Sequence, residues 1–446
     1  MTSAQEADEE ADVCVVGAGP AGLVLGLVLA RAGVRVTVLE KHADFLRDFR
    51  GDTVHPSTLD VLAGLGLSDR LAELPGRRVT EFTAAFADGT FRLVDFTRLP
   101  VAHPYVLFLP QWDLLELLAA TAAGYPGFTL LRSHEVTDLL FDGAGGPVRG
   151  VVARTGDGRR AEIRARLVVA ADGRHSTVRA ALDHAGRGLP RREFGAPMDV
   201  LWFRLPRWPD DPVGLGARVG AGRLLIMIDR GHYWQTAYVI PKGGRDAAVA
   251  AGLDELRATV LELAPWLDGR VDVLSDWDEL AFLEVRVDRL RRWHSPGVLC
   301  IGDAAHAMSP VGGVGINLAV QDAVAAGRML AGPLLAGATA QQLTPALARL
   351  QRRRTLPTVG TQFLQRAAAR GLIGPTLRAN TPVKAPAAIR LLDRVPLLRA
   401  LPAWIVGVGL LPERLSPEAA PDRIGHQAGA RRRQSGRDGT EPAALP

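Results

Sequence analysis

The stretch Gly17-Ala18-Gly19-Pro20-Ala21-Gly22 constrains this chain more than any other. It follows a short apolar run, DVCVV at 12–16, and opens a long apolar segment at 21–32 that Gly33 ends. Residues 34–39, VRVTVL, then alternate like a valine-rich strand. Strand, glycine turn, helix and strand in this order make one βαβ unit. Gly17 permits the tight turn, Gly19 leaves room for a pyrophosphate, and Gly22 lets the helix pack close to the sheet. The helix N-terminus offers unpaired N–H groups and a partial positive charge to an anion. Glu40 closes the second strand eighteen residues after Gly22, where its carboxylate can accept both hydroxyls of a ribose. A carboxylate there favours a free 2′-hydroxyl, so FAD or NAD fits better than NADP.

Composition narrows the remaining classes. The 446 residues are 47% hydrophobic and 23% charged, an ordinary soluble balance with ample chain for a large core. Cys14 and Cys300 lie far apart in apolar runs, which excludes a disulfide framework and a Cys-rich zinc site; no metal is expected. The net charge is +5, but arginine carries nearly all the positive charge and is scattered, with lysine only at 41, 242 and 384. A nucleic-acid footprint needs a clustered basic stripe, so no nucleic-acid partner is expected. No stretch reaches the 18 or so apolar residues of a membrane span. The acidic start, MTSAQEADEEAD, is the opposite of a secretory signal, so a cytoplasmic protein is expected.

Along the chain, residues 1–10 read as a disordered leader and 11–190 as the first part of a nucleotide-binding domain, with inserted strands at about 79–110. From 191 to 290 the texture changes to aromatic-rich strands (MDVLWFRL, RLLIMIDR, YWQTAYVI, LAFLEVRV) that predict a separate sheet. Residues 291–335 return to the nucleotide-binding domain, 336–416 form a helical region, and 417–446 a disordered tail. Within the helical region Thr344 is expected to cap a helix with Pro345 at its first position. The apolar stretch 398–411, broken by Pro402 and glycines, is expected to pack against the body.

Two further motifs follow short apolar strands. Asp172-Gly173 begins DGRHSTVR, and Gly302-Asp303 begins GDAAHAMSPVGGVGIN. A lone Asp-Gly is usually a turn, but the three motifs fit together in order and in flanking residues. With them the chain resembles the class A flavoprotein monooxygenases of the para-hydroxybenzoate hydroxylase type, similar to the ubiquinone-biosynthesis hydroxylases, over about residues 11–370. The resemblance implies an α/β fold: a Rossmann-like FAD-binding domain of the GR2 type, an inserted mainly antiparallel substrate sheet and a helical C-terminal region. It implies FAD diphosphate on Gly17, Gly19 and Gly22, adenosine ribose on Glu40, and FAD contacts from Arg50 and Gln111. Asp172 and Gly173, with Ser176 and Arg179, would contact FAD and take part in NAD(P)H use. Asp303 would hold the ribityl chain, and Pro310, Gly313, Gly315, Ile316 and Asn317 would line the isoalloxazine. The glycine-rich run also stands on its own: its backbone can approach a flat ring, and the helix after it can stabilise negative charge. The chain has no second GxGxxG turn, and the family reduces its flavin without a separate NAD(P)H domain.

On the substrate side, Trp202, Arg204, Met227, Trp234 and Tyr238 are the expected pocket residues, forming an apolar space for an aromatic or lipophilic molecule. Period-two alternation puts Trp202 and Arg204 on one face and leaves open which face meets the flavin. No catalytic residue is fixed; His232, Tyr233 and Tyr238 are candidates for a general base. His306 is read as serving structure or the flavin. The resemblance therefore predicts an FAD-dependent hydroxylase: NAD(P)H reduces the flavin, O₂ adds at C4a, and the hydroperoxide passes one oxygen to the substrate. Epoxidation and Baeyer–Villiger oxidation are alternatives on the same scaffold. So is a flavin-dependent halogenase, although its WxWxI motif is missing, and so is a non-catalytic flavin sensor. A monomer or homodimer is expected.

Overall fold

The computed structural model describes residues 11–46 and 53–415. The expected leader at 1–10, the tail at 417–446 and Arg50 lie outside the described residues.

The first sheet is built around parallel strands in the order Val298–Cys300, Arg160–Ala170, Ala11–Val16, Val36–Leu39, Phe128–Leu131. Where they pair in parallel, these strands are apolar and mostly buried, as parallel strands under crossover helices must be. The helix Pro20–Arg31 packs on one face together with the helix Gly315–Leu335. Gly26 and Gly327 allow the close fit: a Cβ on Gly327 would lie 2.4 Å from Val28, and one on Gly26 would lie 2.9 Å from Phe128. Two antiparallel strands, Val148–Thr155 and His134–Phe141, extend from the N-terminal half of Arg160–Ala170.

The second sheet has seven strands, in the order Ala281–Leu283, Met198–Pro206, Tyr233–Pro241, Leu224–Asp229, Leu215–Val219, Glu81–Phe86, Gly89–Asp95. All pairs are antiparallel except Leu215–Val219 with Glu81–Phe86, which run parallel. Strands 81–95, grouped by sequence with the first part of the FAD-binding domain, thus complete the sheet of the later segment. A pairing with partners so distant in the chain leaves no local mark.

One face of this sheet packs Leu201, Phe203, Leu205, Leu225, Met227 and Trp234 against the helix Leu253–Leu263. The other face carries Val200, Trp202, Ile226 and Ile228.

Within the helical region the helix expected to be capped by Thr344 begins a turn earlier. The helix Ala340–Ala368 is capped by Thr339, which forms a reciprocal capping box with Gln342, and Pro345 lies inside the helix. Thr344 instead donates its hydroxyl back to the Ala340 carbonyl, 3.3 Å away. The stretch at 398–411 packs against the body: Ala403 and Val408 are buried, and a Cβ on Gly407 would sit 3.1 Å from both Phe96 and Pro56.

Candidate active site

The glycine turn lies where the strand Ala11–Val16 delivers it. Gly17 has φ +98°, and a Cβ there would strike the Ala171 carbonyl oxygen at 2.7 Å. Gly22 is fixed by the turn itself rather than by the sheet: its Cβ would come within 1.9 Å of the Gly17 oxygen. Gly19 is different, because a Cβ there would meet nothing within 4 Å. The space before Gly19 is open, as a diphosphate needs. Glu40 is buried beside it, accepting the Ala18 N–H at 3.1 Å and the His42 N–H at 3.1 Å.

The other two motifs converge on this turn. Gly302 has φ +57°, and its Cβ would face Ala319 at 3.1 Å and Ala21 at 3.5 Å, so three segments meet at one small residue. Asp303 is partly exposed, with the Arg174 guanidinium 3.5 Å from its carboxylate. Arg179 ties the two motifs together, donating to the Ala304 carbonyl at 3.1 Å and the Arg174 carbonyl at 2.6 Å. Ser176 caps the helix Thr177–His184 by accepting the Arg179 N–H. Asp172 is half-buried and accepts the Val178 N–H at 3.2 Å, while its buried Oδ1 has no partner among the described residues. Burial pushes its carboxyl above the usual range despite those hydrogen bonds. Gly173 follows with φ +80°.

At 310–317 the chain folds into a short turn and then the helix Gly315–Leu335. Pro310 precedes the turn; Gly312 and Gly313 have φ +77° and +65°. A Cβ on Gly313 would press on Thr53 at 3.0 Å, whereas Gly315 faces open space. Ile316 packs on the main core and Asn317 is buried. The helix start carries no side-chain cap, so its first N–H groups are available to a developing negative charge.

A latch that sequence reasoning missed holds this loop. His55, Ser57 and Thr58 all reach it: His55 Nε2 lies 3.1 Å from the Gly313 oxygen, and the two hydroxyls donate to Asn317 Oδ1 at 2.7 Å each. Because Oδ1 takes both hydroxyls, the amide nitrogen of Asn317 is directed away from them. Burial brings His55 down to about 4, so its imidazole is neutral at physiological pH. The helix start HPST was visible in the sequence, but nothing local connects it to residues some 260 positions away.

The substrate-side expectations divide by face. Trp202 lies on the face away from the helix Leu253–Leu263 and borders the same hydrophobic clusters as Val311 of the 310–317 loop and as Val406, whose side chain a Cβ on Gly312 would approach at 3.6 Å. Its indole Nε1 is buried with no hydrogen-bond partner among the described residues. Arg204, on the same face, stacks over Tyr233 near the open end of the strands. Met227, Trp234 and Tyr238 are corrections, since they belong to the core under the helix Leu253–Leu263. Trp234 donates its indole N–H to Asp211 at 2.9 Å, and Tyr238 is hydrogen-bonded to Thr259. Alternation is the cause: residues paired across the strands share a face, and Leu205 pairs with Trp234 and Leu201 with Tyr238. His232 is exposed on the turn between Leu224–Asp229 and Tyr233–Pro241. Of the three base candidates, Tyr233 pairs with Pro206 and so shares the Trp202 face, under Arg204, whereas Tyr238 lies on the opposite face and His232 on the exposed turn. Gln111 opens the helix Gln111–Ala122 and is half-buried.

A family model described as an FAD binding domain matches residues 10–353. The 6-methylpretetramide 4-monooxygenase of Streptomyces rimosus is 35% identical over 413 residues, 87% of this chain and 90% of that protein. The chain belongs to the class A flavoprotein monooxygenases. The para-nitrophenol 4-monooxygenase of a Pseudomonas species is 27% identical, over 70% of this chain and 75% of its own. Among solved structures, the anhydrotetracycline hydroxylase of Streptomyces rimosus superimposes with a TM-score of 0.69 at 26% identity, covering 90% of this chain and 76% of that one.

This flavoprotein monooxygenase is an FAD-dependent enzyme acting on aromatic small molecules. The residues fit the cofactor, with open space before Gly19 and Gly315 and closed packing behind Gly17, Gly22 and Gly302. Among the described residues no helix is long and apolar enough to cross a membrane.

Proposed function

We propose that the enzyme uses NAD(P)H and O₂ to hydroxylate an extended, largely apolar aromatic ring system that offers a hydrogen-bond acceptor to Trp202. The observation that carries this reading is the buried, unpartnered indole N–H in an apolar surround facing the flavin loop. A buried donor left unmade costs about 1–3 kcal/mol, so a substrate that fills it gains both affinity and orientation. Bound FAD supplies activation of O₂. The chain's own residues hold the cofactor and place the ring: Gly19 and Glu40 take the diphosphate and adenosine ribose, Asp303 the ribityl chain, and the latched loop the flavin edge. Phe96, Ile226, Ile228 and Val406 line the approach with apolar surface and exclude water. Relatives named as monooxygenases of 6-methylpretetramide and of anhydrotetracycline support such a surround.

The test is a substrate panel scored by stimulated NAD(P)H oxidation and by product mass. Neutral or weakly acidic phenols and polycyclic aromatics are expected to gain one oxygen, and sugar-like or small polyanionic compounds to give no stimulation. Trp202→Phe, which keeps the ring and removes the N–H, should raise KM for the best substrate about tenfold at unchanged FAD content. An unchanged KM would overturn the Trp202 assignment.

A further inference from the structure

A cluster of cations that the reading so far leaves unused gathers on Phe194, in the hydrophobic cluster that Val311 of the 310–317 loop borders. Three guanidiniums surround the single ring of Phe194: Arg366 at 4.6 Å, Arg192 at 5.1 Å and Arg289 at 5.3 Å from its centroid. Among the described residues none of the three is paired with a carboxylate. The nearby acids are engaged elsewhere: Glu193 pairs with Arg191 at 2.6 Å, and Asp288 is approached by Arg191 at 3.9 Å and Arg179 at 4.0 Å. Arg289 donates only to the neutral Gln362, at 2.9 Å. Burial, and then the like charges of Arg192 and Arg366, pull Arg289 below its usual range. Arg366 Nε is buried with no partner.

Beside this cluster is a cavity of about 140 Å³ bordered by Gly195, Ser309, Gln365, Arg366 and Arg370. It adjoins the flavin loop directly. Gln365 donates its amide N–H groups to the carbonyls of Ser309 and Val311, each at 2.8 Å. Arg366 and Arg370 border this cavity, and Arg192 and Arg289 crowd onto Phe194 beside Arg366; guanidiniums so grouped, with no carboxylate partner among the described residues, repel one another unless an anion joins them. The group they fit carries at least two negative charges, and planar guanidiniums match phosphate oxygens two at a time.

We propose that Arg192, Arg289, Arg366 and Arg370 form the docking site for the diphosphate of the nicotinamide nucleotide that reduces the flavin. This rests on the NAD(P)H reading above. In that reading the aromatic substrate meets an apolar face, so the nucleotide is the reactant that brings several negative charges. Its diphosphate would be held one residue along the helix from Gln365, which anchors the loop before Pro310.

The experiment uses FAD-loaded enzyme and two probes, ADP-ribose for binding and NAD(P)H for flavin reduction. In Arg192→Gln and Arg366→Gln the dissociation constant of ADP-ribose is expected to rise at least tenfold, and the NAD(P)H concentration for half-maximal reduction to rise in parallel. FAD content checks that each variant has folded, and the exposed Arg370→Gln provides a third variant if Arg366→Gln loses flavin. Unchanged ADP-ribose binding in Arg192→Gln and Arg370→Gln overturns the site. Wild-type enzyme that binds ADP-ribose, loses that binding in the variants, yet is never reduced by NAD(P)H, upholds the site and overturns the reductant reading.

Discussion

Arg354 Nε lies 2.8 Å from Asp322 Oδ1, and both side chains are shut away from solvent. The same carboxylate accepts the Gly302 N–H at 3.1 Å and meets His306 Nε2 at 2.5 Å. One buried anion therefore joins the turn that carries Asp303, the helix Gly315–Leu335 and the helix Ala340–Ala368. Arg354 is shared with Glu413, itself buried and bonded to Arg353 at 2.5 Å, so the network reaches the last described residues of the chain.

Asp322→Ala should leave Arg354 buried with only the Glu413 carboxylate, 3.7 Å away, in place of its 2.8 Å partner, and cost about 3–5 kcal/mol. Burial alone would push Asp322 up, but His306 and Arg354 outweigh it and hold the carboxyl below the usual range. Its contribution is thus complete above pH 4 or so and is lost as pH falls through the folded value. Denaturation midpoints followed from about pH 5 down to about pH 2 should show this wild-type loss below pH 4, and Asp322→Ala should lack it.

His55 gives a second pH dependence in a different window. Its folded value of about 4 lies below the free value of 6.5, so between these pH values the unfolded chain binds a proton that the folded one does not. Stability therefore rises with pH through this window, by about 1.4 kcal/mol per unit at most. His55→Gln should flatten that part of the curve. An equal slope in both proteins would show that His55 is not held neutral.

The glycines of the first turn should separate binding from folding. Gly19→Val places its side chain in open space and should reduce FAD affinity at least tenfold while the apoprotein melts near the wild-type temperature. Gly22→Ala drives a methyl into the Gly17 carbonyl and should destabilise the apoprotein itself. Flavin titration and thermal melts of both variants check the contrast.

Trp202 and Trp234 should behave oppositely on truncation. Trp202→Ala opens the apolar face near the loop and should raise hydrogen peroxide release per NAD(P)H consumed, because water enters. Trp234→Ala empties a core on the far face and should cost about 3–5 kcal/mol with coupling unchanged. Peroxide assays and denaturant curves distinguish the two.

In the proposed role Asp303 binds the ribityl chain through charge-assisted hydrogen bonds, each worth about 1.5–3 kcal/mol, so Asp303→Ala should reduce FAD affinity roughly ten- to a hundredfold. Flavin titration reads it directly.

What was legible in the sequence was local. Gly17, Gly19, Gly22 and Glu40 announce their task because a βαβ turn is complete within about thirty residues. The later glycines at 312, 313 and 315 stand out as a glycine-rich run ahead of a helix, and Gly312 and Gly313 do take positive φ. The aromatic residues at 202–238 were read as one pocket because alternation shows that a strand has two faces, not which face another domain covers. Register decided that: Trp202 pairs with Ala237 toward the loop, and Leu205 pairs with Trp234 away from it. Thr339 and Gln342 did carry a capping-box signal, which the more conspicuous Thr344-Pro345 pair obscured. The latch from His55, Ser57 and Thr58 and the arginines around Phe194 join distant segments, so periodicity gave no hint of either.

The parallel pairing of Phe82 with Leu215 has a consequence for how the chain is made. Roughly 130 residues separate the partners, and a ribosome adding 5–20 residues per second needs about 6–26 seconds to cross that interval. Throughout it the hairpin at 81–95 has been synthesised with the outer edge of Glu81–Phe86 unpaired, ready to accept a strand from another nascent copy. Yield of active enzyme should then depend on translation speed and on cellular protection of that edge, independently of the stability of the finished fold.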